Sequence, residues 1–136
     1  MARRLNEQEY RLLSEFRYQL RSFLEFSEAA AARAGLTPRQ HQALLAIKGA
    51  PVGAVPSVGY LAERLRIRHH SAVELVDRLA EAGLITREPD AEDRRRVRLK
   101  LTEIAEARLA KLSASHLTEL SRLRPVLLEL LSGPGG

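Results

Sequence analysis

Two short stretches of this chain bring together side chains suited to binding a polyanion. Arg94, Arg95 and Arg96 stand in one row, and Arg68, His69, His70 and Ser71 stand in another. Guanidinium groups match phosphate oxygens through planar, bidentate hydrogen bonds, while imidazole and hydroxyl groups can donate to base edges. An arginine-rich turn also suits a narrow minor groove, where the negative potential favours guanidinium. The charge distribution agrees with this. Net charge is +5, and residues 64–100 hold ten Lys/Arg against seven Asp/Glu, whereas residues 1–33 hold six against five and residues 101–136 four against four. Such a local surplus binds polyanions by releasing their counterions, although a solvated basic surface would give the same count.

Other chemistries find little support. The absence of cysteine removes disulfides, thiol catalysis and thiolate–metal ligation. There is no phosphate-binding glycine loop and no Ser-His-Asp arrangement with supporting context, so an enzyme is not expected. His41 and His116 fall on helices, but no His-x-x-x-His spacing completes a ligand set, so neither a metal nor a cofactor is expected. The start of the chain turns charged at Arg3 without an apolar stretch, which argues against a signal peptide. No apolar run approaches the roughly 20 residues that span a bilayer. A cytoplasmic protein without membrane contact is the expectation.

The candidate residues must be held by regular elements, and the hydrophobic period places these. Residues 7–33 read as one long helix, with Leu13, Phe16, Leu20, Phe23 and Leu24 at three- and four-residue steps and Gly35 beyond its end. Thr37 and Pro38 start a second helix, as N-cap and first residue, which carries Ala43, Leu44 and Ile47 inward and ends near Gly49. Pro and Gly punctuate residues 50–56. Ser57 caps a short helix whose buried side is Tyr60, Leu61 and Leu65; Arg66, Ile67 and Arg68 make a turn; and a further helix runs from about His70 to Ala82, stopped by Gly83. Its apolar positions are Ala72, Val73, Val76, Leu79 and Ala80.

A hairpin follows. Leu84 to Thr86 read as a strand, Arg87 to Arg94 as a polar turn, and Val97, Leu99 and Leu101 alternate with Arg96, Arg98 and Lys100 as a half-buried strand with one basic face. Thr102 then caps a helix with Glu103 and Glu106 at its positive end and Leu109, Leu112, Leu117, Leu120 and Leu123 along its stripe. Pro125 breaks or restarts it before the apolar stretch from Val126 to Leu131, and residues 132–136 read as a disordered tail. The fold class expected is mainly α with a small β-hairpin, a winged helix-turn-helix. In such folds the second helix enters the major groove by its N-terminal residues. These are Arg68, His69, His70 and Ser71, with Val73 suited either to a thymine methyl or to the core.

At this point the sequence resembles the MarR family of bacterial transcriptional regulators. The stretch from Leu75 to Ile85 follows the family pattern LVDRLxxxGLI, and Asp90, Asp93, Arg94, Arg95, Leu101 and Thr102 follow DxxDRRxxxxxLT at the right separation. The resemblance implies a homodimer whose terminal helices interlock, residues 1–35 and 103–131, around a DNA-binding domain at 36–102. It implies a pseudo-palindromic double-stranded operator, repression, and release by a small aromatic or phenolic effector. It also implies that Asp93 orients Arg95 into the minor groove, with Arg94 and Arg96 on phosphates. Pocket candidates for an effector are Phe16, Tyr18, His41 and Tyr60, for each of which core or interface packing is the plainer expectation. One residue departs from the pattern. Glu74 lies on the recognition helix, where many relatives carry a basic or small polar residue; it either accepts from a cytosine amino group or, as favoured here, pairs with Arg78 at i+4. The alternative function is a winged-helix module that binds protein and has lost operator recognition.

Overall fold

The computed structural model describes residues 3–132. The elements run α1 (Glu7–Arg33), α2 (Pro38–Lys48), α3 (Val58–Leu65), α4 (His69–Glu81), β1 (Ile85–Pro89), β2 (Val97–Leu101), α5 (Glu103–Leu120), a 3-10 turn (Ser121–Leu123) and α6 (Arg124–Ser132). This is the mainly helical winged helix-turn-helix expected.

Local chemistry sets most of the helix ends. Thr37 accepts from the Gln40 N–H at 3.1 Å while Gln40 accepts from the Thr37 N–H at 3.0 Å, a reciprocal capping box before Pro38. A second box, between Asn6 and Glu9, starts α1. Three helices stop by one device. Gly35, Arg66 and Gly83 have φ of 78°, 57° and 73°, and the next residue (Leu36, Ile67 or Leu84) donates back to the carbonyl five residues earlier, at 2.9, 3.0 and 3.0 Å. Each of those following residues is apolar and packs on the core. Arg66 is the costly case: the left-handed region disfavours a residue with a Cβ by about 1–2 kcal/mol, a cost borne at the turn that sets α4 against α3.

The core is one cluster in which Leu44, Leu61, Val76, Leu79 and Leu99 are fully buried. Ala31, Ala43, Ala72 and Ala105 are also fully enclosed, small residues that allow close helix approach. Burying each leucine contributes about 1.5–3 kcal/mol. On α3 the buried pair is Leu61 and Ala62, while Tyr60 and Leu65 are only half-buried.

The hairpin is antiparallel, with Ile85 opposite Leu101 and Pro89 opposite Val97. Its first strand extends three residues beyond the expected end at Thr86, because Arg87, Glu88 and Pro89 pair with β2 despite being exposed. An exposed strand has no apolar alternation to reveal it. The outer edge of β2 is held by the 50–56 segment, since the Leu99 N–H donates to the Pro56 carbonyl at 2.8 Å. Thr102 closes the hairpin: its N–H donates to Leu84 O at 3.0 Å and its hydroxyl to Gly83 O at 2.8 Å, while Oγ1 caps α5.

At the C-terminal end the apolar stripe is partly uncovered, and one expectation needs correction. Leu117 and Leu120 are 70% and 42% exposed, so within one chain the α5 stripe is buried only at Leu109 and Leu112, with Leu123 in the turn beyond. Ser132, read as the start of a tail, is the last residue of α6 and its hydroxyl donates to Leu128 O at 2.7 Å. The remainder of that tail, residues 133–136, lies outside the described residues.

Candidate nucleic-acid interface

Helix α4 buries Ala72, Leu75, Val76 and Leu79 and turns its other side outward. Arg68, His69, His70, Val73 and Glu74 are all exposed and Ser71 is half-buried. Val73, at 38% exposure, is therefore not core, which leaves its methyls free for an apolar contact. The i+4 pair anticipated between Glu74 and Arg78 does not form; among the described ion pairs neither residue takes part. Both instead line a cleft of about 160 Å3 with Thr37, Arg39, Gln40 and Ser71. Asp77, on the same exposed side, is paired with Arg87 of β1, which ties the hairpin to the recognition helix. An exposed pair of this kind contributes about 0–1 kcal/mol, so its effect is on orientation more than on stability.

The wing tip is organised by two aspartates. Asp93 accepts from Arg95 three times, from its backbone N–H and Nε at 3.1 Å and from Nη2 at 3.3 Å. This fork-on-carboxylate geometry fixes a side chain that is itself 91% exposed. The arginine is presented to solvent yet has a defined direction. Arg94 is exposed and makes no ion pair among the described residues, while Arg96 lies 3.8 Å from Asp93 and 3.9 Å from Asp90. The Arg95 hydrogen bonds, opposed by burial and helped by Arg96, hold the Asp93 carboxyl below the usual carboxylate range.

Asp90 is the residue whose role the sequence did not reveal. It is 3% exposed, one of two buried polar residues among those described. One carboxylate oxygen accepts from the Asp93 N–H at 3.1 Å and the other from Arg98 Nη2 at 3.2 Å. Burial pushes this carboxyl up, but the Asp93 N–H and the Arg98 and Arg96 guanidiniums outweigh it and bring it below the ordinary value. The ionised group thus braces the turn that carries Asp93. Arg98, expected on a free basic face, is engaged at the root of the wing. Its position in β2 showed only that it alternates with apolar residues; the partner lies across the turn.

The four residues considered for an effector pocket are not gathered in one place. Tyr18 lines a depression between α1 and the end of α5 with Gln19, Phe23, Glu119 and Arg122, and Tyr60 lines another with Gln42, Leu45 and Arg64. Phe16 is half-buried and lines neither. His41 is buried, its ring 4.9 Å from that of His116, with Phe26 packed edge-on against His116 at 5.3 Å. His116 Nδ1 lies 2.6 Å from the Leu112 carbonyl, which can only accept, so Nδ1 carries the proton. Its Nε2 is 2.7 Å from Ser27 Oγ and so accepts that hydroxyl's proton when the ring is neutral. Burial first, and the adjacent His116 second, push His41 below the ordinary histidine value. Among the described residues no three His, Cys, Asp or Glu side chains stand together as a metal would require.

Comparison with known proteins converges on the same region. The model of the MarR family matches residues 34–96. A multiple antibiotic-resistance repressor (MarR) from Listeria monocytogenes superposes with a TM-score of 0.71 at 26% identity, covering 95% of this chain and 99% of that one. A mutant of MepR from S. aureus, solved bound to an oligodeoxyribonucleotide, gives 0.62 at 20% identity, over 88% of this chain and 94% of that one. CouR from Rhodococcus jostii, bound to p-coumaroyl-CoA, gives 0.66 at 22% identity, over 82% and 80%. Residues 34–96, which hold the helix-turn-helix and the arginine-tipped turn of the wing, match the MarR family, and the whole described fold is similar to these MarR-family structures.

Proposed function

We propose that this chain is a sequence-specific, double-stranded DNA-binding transcriptional regulator, a homodimeric repressor whose operator affinity is set by a small ligand. The observation that carries the reading is the wing tip, where Asp93 holds an exposed Arg95 directed into solvent. A guanidinium so held is suited to the minor groove, while Arg94 and Arg96 suit flanking phosphates. Arg68, His69, His70, Ser71, Val73 and Glu74 form the face for the major groove. The oligodeoxyribonucleotide bound to the MepR mutant supports this reading.

For the dimer, residues 1–35 and 103–131 are the interlocking segments. Tyr10, Leu117, Leu128 and Leu131 are 55%, 70%, 54% and 81% exposed, apolar surface that a two-fold partner would cover. The ligand is a small aromatic or phenolic compound, a class supported by the p-coumaroyl-CoA held by CouR. It acts by binding the DNA-competent and incompetent forms unequally. Among the described residues no helix is long and apolar enough to cross a membrane, in keeping with a cytoplasmic site of action.

Fluorescence anisotropy with duplexes flanking its own coding region, at several salt concentrations, tests the DNA reading. Nanomolar, salt-dependent binding above nonspecific background is expected. Affinity at background would instead favour a winged-helix module that binds protein. Sedimentation of the intact chain and of Leu117→Glu tests the dimer: a dimer that the exposed-site substitution weakens is expected, and a monomeric native chain would overturn it.

A further inference from the structure

Besides Glu81 at its C-terminal end, the exposed side of α4 carries Glu74 and Asp77, in unlike circumstances. Asp77 is neutralised by Arg87. Glu74, one turn nearer the N-terminus, is exposed and takes part in no side-chain hydrogen bond or ion pair among those described. It faces the cleft whose rim includes Arg39 from α2 and Arg78 from α4 itself. His70, Glu74 and Arg78 follow one another at four-residue spacing, so the carboxylate lies in line with one of the residues expected to meet base edges.

If α4 lies in the major groove, as the reading above requires, an unpaired carboxylate there meets repulsion from phosphates. It can be accommodated only by a donor, because an ionised Glu has acceptors alone. The donors in that groove are the amino groups of cytosine N4 and adenine N6. Adenine places an N7 acceptor beside its amino group, which suits an amide and repels a carboxylate. Cytosine presents no acceptor of its own on that edge. Arg39 and Arg78, bordering the same cleft, supply positive charge that offsets the cost of bringing the carboxylate close to the backbone.

We infer that Glu74 is a specificity-determining residue that accepts a hydrogen bond from the N4 amino group of a cytosine in each half-site. The inference rests on the DNA-binding reading and makes the carboxylate a device for choosing a base.

The test is selection from a randomised duplex library by the intact native chain, Glu74→Gln and Glu74→Ala, followed by competition titrations on the selected site. The native chain selects a motif with a cytosine that the alanine variant no longer specifies, while the other positions persist. Glu74→Gln moves the preference at that position toward adenine, whose N6 and N7 suit an amide. Changing the cytosine costs the native chain about 5- to 150-fold in affinity. On nonspecific duplex both variants bind more tightly than the native chain, because a repulsive charge is gone; a folding defect would not produce that gain. If all three proteins select one motif, the assignment to Glu74 is wrong and DNA reading stands. If the native chain selects none, both fail together.

Discussion

Replacing Arg95 by Ala separates what the wing does for DNA from what it does for the fold. In the free protein the side chain is 91% exposed and its side-chain partner is the neighbouring Asp93. Removing an exposed pair of this kind changes stability by about 0–1 kcal/mol, so melting and oligomeric state should be unaffected. On DNA the expected loss is much larger. Each contact between a basic side chain and DNA releases about 0.9 counterion, so losing one from each of two wings should make the slope of log K against log salt shallower by roughly 1.8. Loss of a charge-assisted contact also costs about 1–3 kcal/mol per half-site. Asp93→Asn provides the contrast, since it keeps the cation and removes its tether; affinity should fall while the salt slope stays near the native value. Anisotropy titrations from low to physiological salt measure both quantities. An Arg95→Ala protein with native slope and affinity within twofold would remove the wing from the mechanism, and with it the reasoning from Asp93.

Three further outcomes follow from the same packing. Asp90→Asn should leave the core folded but loosen the wing, read as faster hydrogen exchange of the Asp93 amide together with weaker DNA binding; native exchange would mean that Asp90 does not brace the turn. Leu79→Ala, at a site with no exposure, should cost about 2–5 kcal/mol in urea unfolding, and a loss below about 1 kcal/mol would show that the site collapses around the gap. For His41, burial and the neighbouring His116 lower the folded value beneath the unfolded 6.5, so the unfolded chain binds a proton that the folded chain refuses. Stability should therefore be greatest above that pH and fall as pH drops from about 6.5 toward the lowered value; His41→Phe should flatten this trend, and an equal acid dependence in the variant would count against it.

Much of the fold was legible because its signals are local. Thr37 and Pro38, Ser57, Thr102, Gly35 and Gly83 act within a few residues of where they stand, and the helix bounds follow them closely. The Asn6–Glu9 box has the same local character, an Asn followed by Glu three residues later. The outer half of strand β1 has no such signal, because it is exposed and carries no apolar period.

The sequence by itself determined the order of elements, the polar face of α4, and a wing whose tip is basic, since residue type, spacing and capping chemistry decide these. That Asp93 orients Arg95 was implied by the resemblance to the family, and the structure gives the hydrogen bonds that do it, at 3.1 and 3.3 Å. Only the tertiary structure decided that Asp90 is buried beneath Arg98, that His41 meets His116, that Arg87 holds Asp77, and that Glu74 does not pair with Arg78. The first three join residues separated by 8 to 75 positions, and chain proximity says nothing about which of several arginines or histidines will arrive. The last is a choice between conformers of two long exposed side chains. Four-residue spacing permits that pair, and its small free energy does not enforce it.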